Sequence, residues 1–167
     1  MDQLNIFDCL LDEYKPKSKI RLIECFAGYG SQAISMKILG VDFEHWKICE
    51  WATKSIQAYK DVHFPNDNND YSKDMTYDKV NDYLFKKGVS MDYNKPMTFE
   101  QIKKKGETWA RNVYNNIIAT NNLVNISQVK GSDLDIKETD TYDYVLTYSF
   151  PCQWVRPFKC WKRKRNG

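Results

Sequence analysis

The sequence predicts an α/β domain built on a doubly wound parallel sheet, with a partly helical segment inserted into it. Three observations predict it: short apolar, β-favouring runs alternate with stretches of helical periodicity, the first run stops at a glycine turn that opens a helix, and residues 65–122 interrupt the rhythm. With 42% hydrophobic and 28% charged residues over 167 positions, the composition is that of one globular domain, long enough to bury a three-layer core.

Leu4, Phe7, Leu10, Leu11 and Tyr14 recur at helical spacing and stop before Pro16, which reads as a short amphipathic helix. Residues 20–26 form the first strand candidate, ended by Gly28 and Gly30, and residues 32–39 the helix that follows, stopped by Gly40. A second strand is expected over residues 46–49 and a second helix over 52–59; further strands are expected over 123–126 and 142–148. The repeated strand–helix order implies parallel pairing with right-handed crossovers and a central first strand, a partial Rossmann-like sheet. Residues 65–122 are dense in Asn, Asp, Lys and Tyr; one helix is expected from about Thr98 to Ile118, capped by Thr98 with Gln101. With few apolar residues, this segment reads as an insertion on the sheet's edge without a core of its own.

Composition also excludes. No run approaches the roughly 18 apolar residues of a membrane helix, so no membrane is expected and the cytoplasm is the expected compartment. Cys9, Cys25, Cys49, Cys152 and Cys160 are scattered and make no cluster with His45 or His63, which argues against a metal site. The net charge of +3 is uneven: residues 154–167 hold six Lys/Arg and no acid, leaving 19 basic against 22 acidic residues, a net −3, before Trp154. A globally basic nucleic-acid surface is therefore not expected.

Two places carry chemistry. Phe26-Ala27-Gly28-Tyr29-Gly30 lies where a doubly wound sheet binds a nucleotide-like ligand, and Glu50, 20 residues past Gly30 at the end of the second strand, is placed to accept hydrogen bonds from two ribose hydroxyls. Ser149-Phe150-Pro151-Cys152-Gln153 follows the last strand, and a thiolate there, presented by Pro151, would be a strong nucleophile on the ligand side of the sheet. A nicotinamide-dependent dehydrogenase is disfavoured, since its fingerprint prefers a glycine where Ala33 stands; that position tolerates alanine, so Cys152 is the better discriminator.

Together these residues resemble the DNA cytosine-5 methyltransferase family, whose motifs read approximately Phe-Ala-Gly-x-Gly and Pro-Cys-Gln. The likeness covers residues 20–64, with Glu50-Trp51-Ala52, Tyr59 and His63-Phe64, and then Asn125-Ile126-Ser127, where Asn125 replaces the usual Asp; Glu24-Cys25 replaces Asp-Leu. The resemblance implies a partial S-adenosylmethionine-dependent methyltransferase domain over residues 1–153, with insertion 65–122. It implies that Phe26, Ala27, Gly28, Tyr29, Gly30, Glu50, Trp51, Asn125, Ile126 and Pro151 line the cofactor site, Trp51 stacking on the adenine and Asn125 accepting from its amino group. Trp46 and Trp109 read as core aromatics. It implies too that Cys152 adds to C6 of a cytosine flipped out of double-stranded DNA, as in restriction-modification systems.

The family's continuation, approximately Asp-Leu-Ser-x-Ala-Gly-Lys, and its Glu-Asn-Val motif are not found in residues 154–167, which read as a basic non-family tail. Codons for that tail read one nucleotide later from within the Arg156 codon can spell the family continuation, so a truncation or frameshift after Gln153 is expected, with turnover by this chain alone lost. The alternatives are a basic DNA-binding arm, a non-catalytic S-adenosylmethionine- or DNA-binding fragment, or one half of a split enzyme completed by a complementing chain.

Overall fold

The computed structural model describes residues 18–148. Their order is β1 (Lys19–Cys25), α1 (Ser31–Ile38), β2 (Phe43–Cys49), α2 (Thr53–His63), α3 (Tyr77–Lys87), α4 (Phe99–Lys105), α5 (Glu107–Ala119), two short 3-10 turns at Ile126–Gln128 and Gly131–Leu134, and β3 (Tyr142–Tyr148). The strands form one parallel sheet in the order β2-β1-β3, so the first strand is central as expected. The helix expected over residues 4–14, Cys9, Pro151, Cys152, Cys160 and the basic tail lie outside the described residues.

β1 is buried from Ile20 to Cys25, and a strand covered on both faces needs an almost unbroken apolar run. The two charged residues of that buried run, Arg21 and Glu24, are answered locally. Arg21 lies between the rings of Trp46, at 3.9 Å, and Tyr142, at 3.5 Å, donates to the Tyr144 hydroxyl at 2.9 Å and pairs with Glu44 and Glu138. Stacking and pairing together offset the desolvation of the guanidinium. Trp46 is the extra residue where the β1–β2 register shifts, so it covers Arg21 rather than filling an apolar core; Trp109 does pack on the helical core.

Three expectations need correction. No strand forms at residues 123–126: Asn122 makes a lone bridge with Ile48, Val124 turns to φ 71, and the chain enters a 3-10 turn at Ile126. The apolar run exists because Val124, 1% exposed, packs into the helical core instead of a ladder. The single helix expected over 98–118 is two, α4 and α5, divided at Gly106, whose φ 87 and ψ 166 are accessible chiefly to glycine. Its start is as expected, Thr98 and Gln101 forming a reciprocal capping box. The inserted segment does supply a core: Val80, Leu84, Val89, Met97, Ile102, Ala110, Val113 and Ile117 form the larger of the two buried clusters among the described residues, together with Ile56 of α2 and Val124.

Candidate cofactor site

The site grows from the carboxyl ends of β1 and β2. The Phe26 amide donates to the Cys49 carbonyl at 2.8 Å, and the Gly30 amide donates to the Ala27 carbonyl at 2.8 Å, closing a turn that delivers Gly30 as the cap of α1. The two glycines face different things. A side chain on Gly28 would meet nothing within 4 Å, whereas one on Gly30 would lie 2.7 Å from the Tyr59 ring and overlap the His63 imidazole. Gly30 is thus required by packing, while Gly28 leaves room for a ligand.

His63 secures that turn from outside: its Nε2–H donates to the Tyr29 carbonyl at 2.9 Å, and Lys37 Nζ donates to its Nδ1 at 3.1 Å, which sets the tautomer. Beneath the turn, the buried Glu24 carboxylate accepts from the Tyr59 hydroxyl at 2.5 Å and from the Ala33 amide in α1 at 3.2 Å. Burial raises the Glu24 carboxyl above its ordinary range; the Tyr59 and Ala33 bonds and Lys37 oppose the shift.

Glu50 lies just beyond β2 and is 6% exposed. Its Oε2 accepts from the Gly28 amide at 3.0 Å and its Oε1 from the Ala52 amide at 2.8 Å. Burial pushes its carboxyl upward, opposed by the amides of Ala52, Gly28 and Trp51. A carboxylate has about four acceptor positions, so capacity remains for a hydroxyl donor. Trp51 is partly buried against the helical core. Ala27 is buried, Tyr29 is exposed and Ile126 is 39% exposed. Asn125 is buried, and its Oδ1 already accepts from the amide and hydroxyl of Ser127, at 3.1 and 2.8 Å. β3 runs parallel to β1 and its last residue, Tyr148, pairs with Cys25, so the chain leaves the described residues at the same sheet edge as Phe26.

Two curated proteins align with most of the chain. The orphan methyltransferase M.SssI of Spiroplasma monobiae is 29% identical over 144 residues, 81% of this chain and 34% of that protein. The type II methyltransferase M2.ScrFI of Lactococcus lactis subsp. cremoris is 31% identical over 137 residues, 80% of this chain and 35% of that protein. This chain is a relative of the DNA cytosine-5 methyltransferases. It spans about a third of the length of the relatives it matches, and no family model matches it.

For a cytosine-5 methyltransferase relative, the described residues bring together Phe26, Ala27, Gly28, Tyr29, Gly30 and Glu50 at one sheet edge, with Trp51 beside them. Asn122 and Ser90 were not singled out from the sequence, yet both hold the Glu50–Thr53 backbone. The signal for Asn122 was faint, a polar pair opening an apolar run that the β-pattern assigned to a strand. Among the described residues no group of His, Cys, Asp and Glu could hold a metal ion, and no helix is long and apolar enough to cross a membrane.

Proposed function

We propose that residues 18–148 carry most of an S-adenosylmethionine site on a doubly wound, Rossmann-like sheet, and that the whole protein transfers the cofactor's methyl group to C5 of cytosine in double-stranded DNA. The observation that carries this reading is the buried Glu50 carboxylate, held by two backbone amides beside the open face of Gly28, with acceptor capacity left for a ribose diol. The family relationship supplies the substrate class.

In this reading Glu50 orients the ribose, the amides at the start of α1 face the cofactor's carboxylate, and the Gly28 backbone lies against the ligand. Trp51 supplies an aromatic face for the adenine. Asn125 has no free acceptor position on Oδ1, so its contribution is the shape of the 3-10 turn with Ile126 rather than a bond from the adenine amino group. The bound cofactor supplies an electrophilic methyl group. Cys152, which follows Pro151, would add to C6 of the flipped base and make C5 nucleophilic; C5 would take the methyl group as the donor sulfur leaves as a neutral thioether, and loss of the C5 proton to a base would restore the C5–C6 double bond and expel the thiolate.

The test is calorimetric titration with S-adenosylmethionine. A charge-assisted hydrogen bond is worth about 1.5–3 kcal/mol, so Glu50→Gln is expected to weaken binding by roughly tenfold or more. Equal affinity of the two proteins would remove the assignment.

A further inference from the structure

We propose that Asn122, at the exit of the inserted segment, is a positioning residue for Glu50, which makes the insertion a working part of the cofactor site; this rests on the function proposed above. Asn122 is 5% exposed and its side-chain amide makes three hydrogen bonds, all to backbone. Oδ1 accepts from the Glu50 amide at 3.1 Å and from the Val124 amide at 2.8 Å, and Nδ2 donates to the Glu50 carbonyl at 2.9 Å. One side chain therefore grips both backbone polar groups of the residue whose carboxylate faces the ribose, where a strand neighbour would otherwise pair.

The other end of the grip also comes from the insertion. Ser90, wholly buried after α3, donates its amide to the Trp51 carbonyl at 2.8 Å and accepts from the Thr53 amide at 2.9 Å. Its own position is braced, its hydroxyl donating to the Lys95 carbonyl at 2.8 Å while the Met97 amide donates to Val89 at 2.8 Å. Residues 50–53 are thus held from both sides by the segment between α2 and the 3-10 turns. Without that grip the Glu50 backbone has no ladder partner beyond Cys49, since β2 ends there. Asn122 touches neither the carboxylate oxygens nor the open face at Gly28, and its effect on a ligand passes through Glu50.

The experiment is a double-mutant cycle in the full 167-residue chain, read by S-adenosylmethionine affinity and by thermal midpoint. Asn122→Asp keeps an acceptor for the Glu50 and Val124 amides but sets an oxygen against the Glu50 carbonyl; Asn122→Ser releases the grip without adding charge and is read if the first variant does not fold. The expected loss is about tenfold in affinity in the wild-type background, the fold-change of one lost buried hydrogen bond, and less than about twofold when Glu50 is already Gln. The thermal midpoint falls by the same amount in both backgrounds. An affinity loss of equal size with Glu50 and with Gln at position 50, or no loss at all, overturns the positioning role while leaving the cofactor site standing. A wild-type chain that does not bind the cofactor, or binding indifferent to Glu50→Gln, overturns both.

Discussion

His45 sits in β2 with its Nδ1 2.8 Å from the Tyr59 hydroxyl and its ring centroid 4.8 Å from that of His63. The hydroxyl's single proton goes to Glu24, so Nδ1 of His45 carries the hydrogen toward Tyr59, and its buried Nε2 is left without a partner. Burial, reinforced by the neighbouring His63 and Lys37, holds this imidazole down to about 4. An unfolded histidine takes its proton near 6.5, so the unfolded state binds more protons in the window between. The contribution of neutral His45 to stability is therefore complete above about 6.5 and is lost as the pH falls toward 4, amounting to about 2 kcal/mol by pH 5. The upward-shifted carboxyls of Glu24 and Glu50 act with the opposite sign. They are shared with a His45→Gln variant and cancel in the difference. Urea midpoints measured from pH 8 to pH 5 should show the wild type losing stability relative to the variant; parallel profiles would contradict the shifted imidazole.

At the scale of the element, the turn between β1 and α1 separates two uses of glycine that the Gly-x-Gly pattern alone cannot tell apart. Gly30, at φ 83 and packed against Tyr59 and His63, has no room for a methyl group. Gly30→Ala is expected to destabilise the fold by about 2 kcal/mol or more, from overpacking and left-handed strain together. Gly28→Ala meets open space and carries only the left-handed strain of φ 57, so its stability cost should be the smaller of the two and its larger effect should fall on S-adenosylmethionine affinity. Thermal melts and titrations of the two variants should show that crossed pattern, and a larger stability loss at Gly28 would reverse the assignment. β1, α1, β2, α2 and β3 were legible because period and punctuation agree there, and the Thr98–Gln101 cap could be named in advance. α3 carries the same punctuation, with Thr76 capping its start, Gly88 at φ 70 ending it, and Val80 and Leu84 on one face. Its polar composition masked that signal. The false strand at 123–126 arose because an apolar run reports burial, not what buries it. The grip of Asn122 on Glu50 spans 72 residues and has no local signature.

At the scale of the whole molecule, the helical core of the insertion and the sheet are joined through α2. Ile56 belongs to the cluster built by α3, α4 and α5, while Tyr59, one turn later, packs with Ala27 and Ile48 on the sheet. A helix that contributes to two clusters cannot leave one intact while the other opens, so the described residues should unfold as one cooperative unit. Two thiols report on the sheet. Cys25 and Cys49 are register partners at the ends of β1 and β2, 8% and 2% exposed, and a native alkylating reagent reaches them only when the sheet opens. Leu84 lies wholly buried in α3, on the insertion side of the joint. Leu84→Ala should cost about 2–5 kcal/mol, and at the lower figure the open state becomes about 30-fold more populated. Labelling of Cys49 under native conditions, followed by peptide mapping that separates it from Cys9, Cys152 and Cys160, should accelerate by that factor. An unchanged rate at Cys49, alongside a lowered melting temperature of the helices, would mean that the insertion opens as a domain of its own and that α2 does not couple it to the sheet.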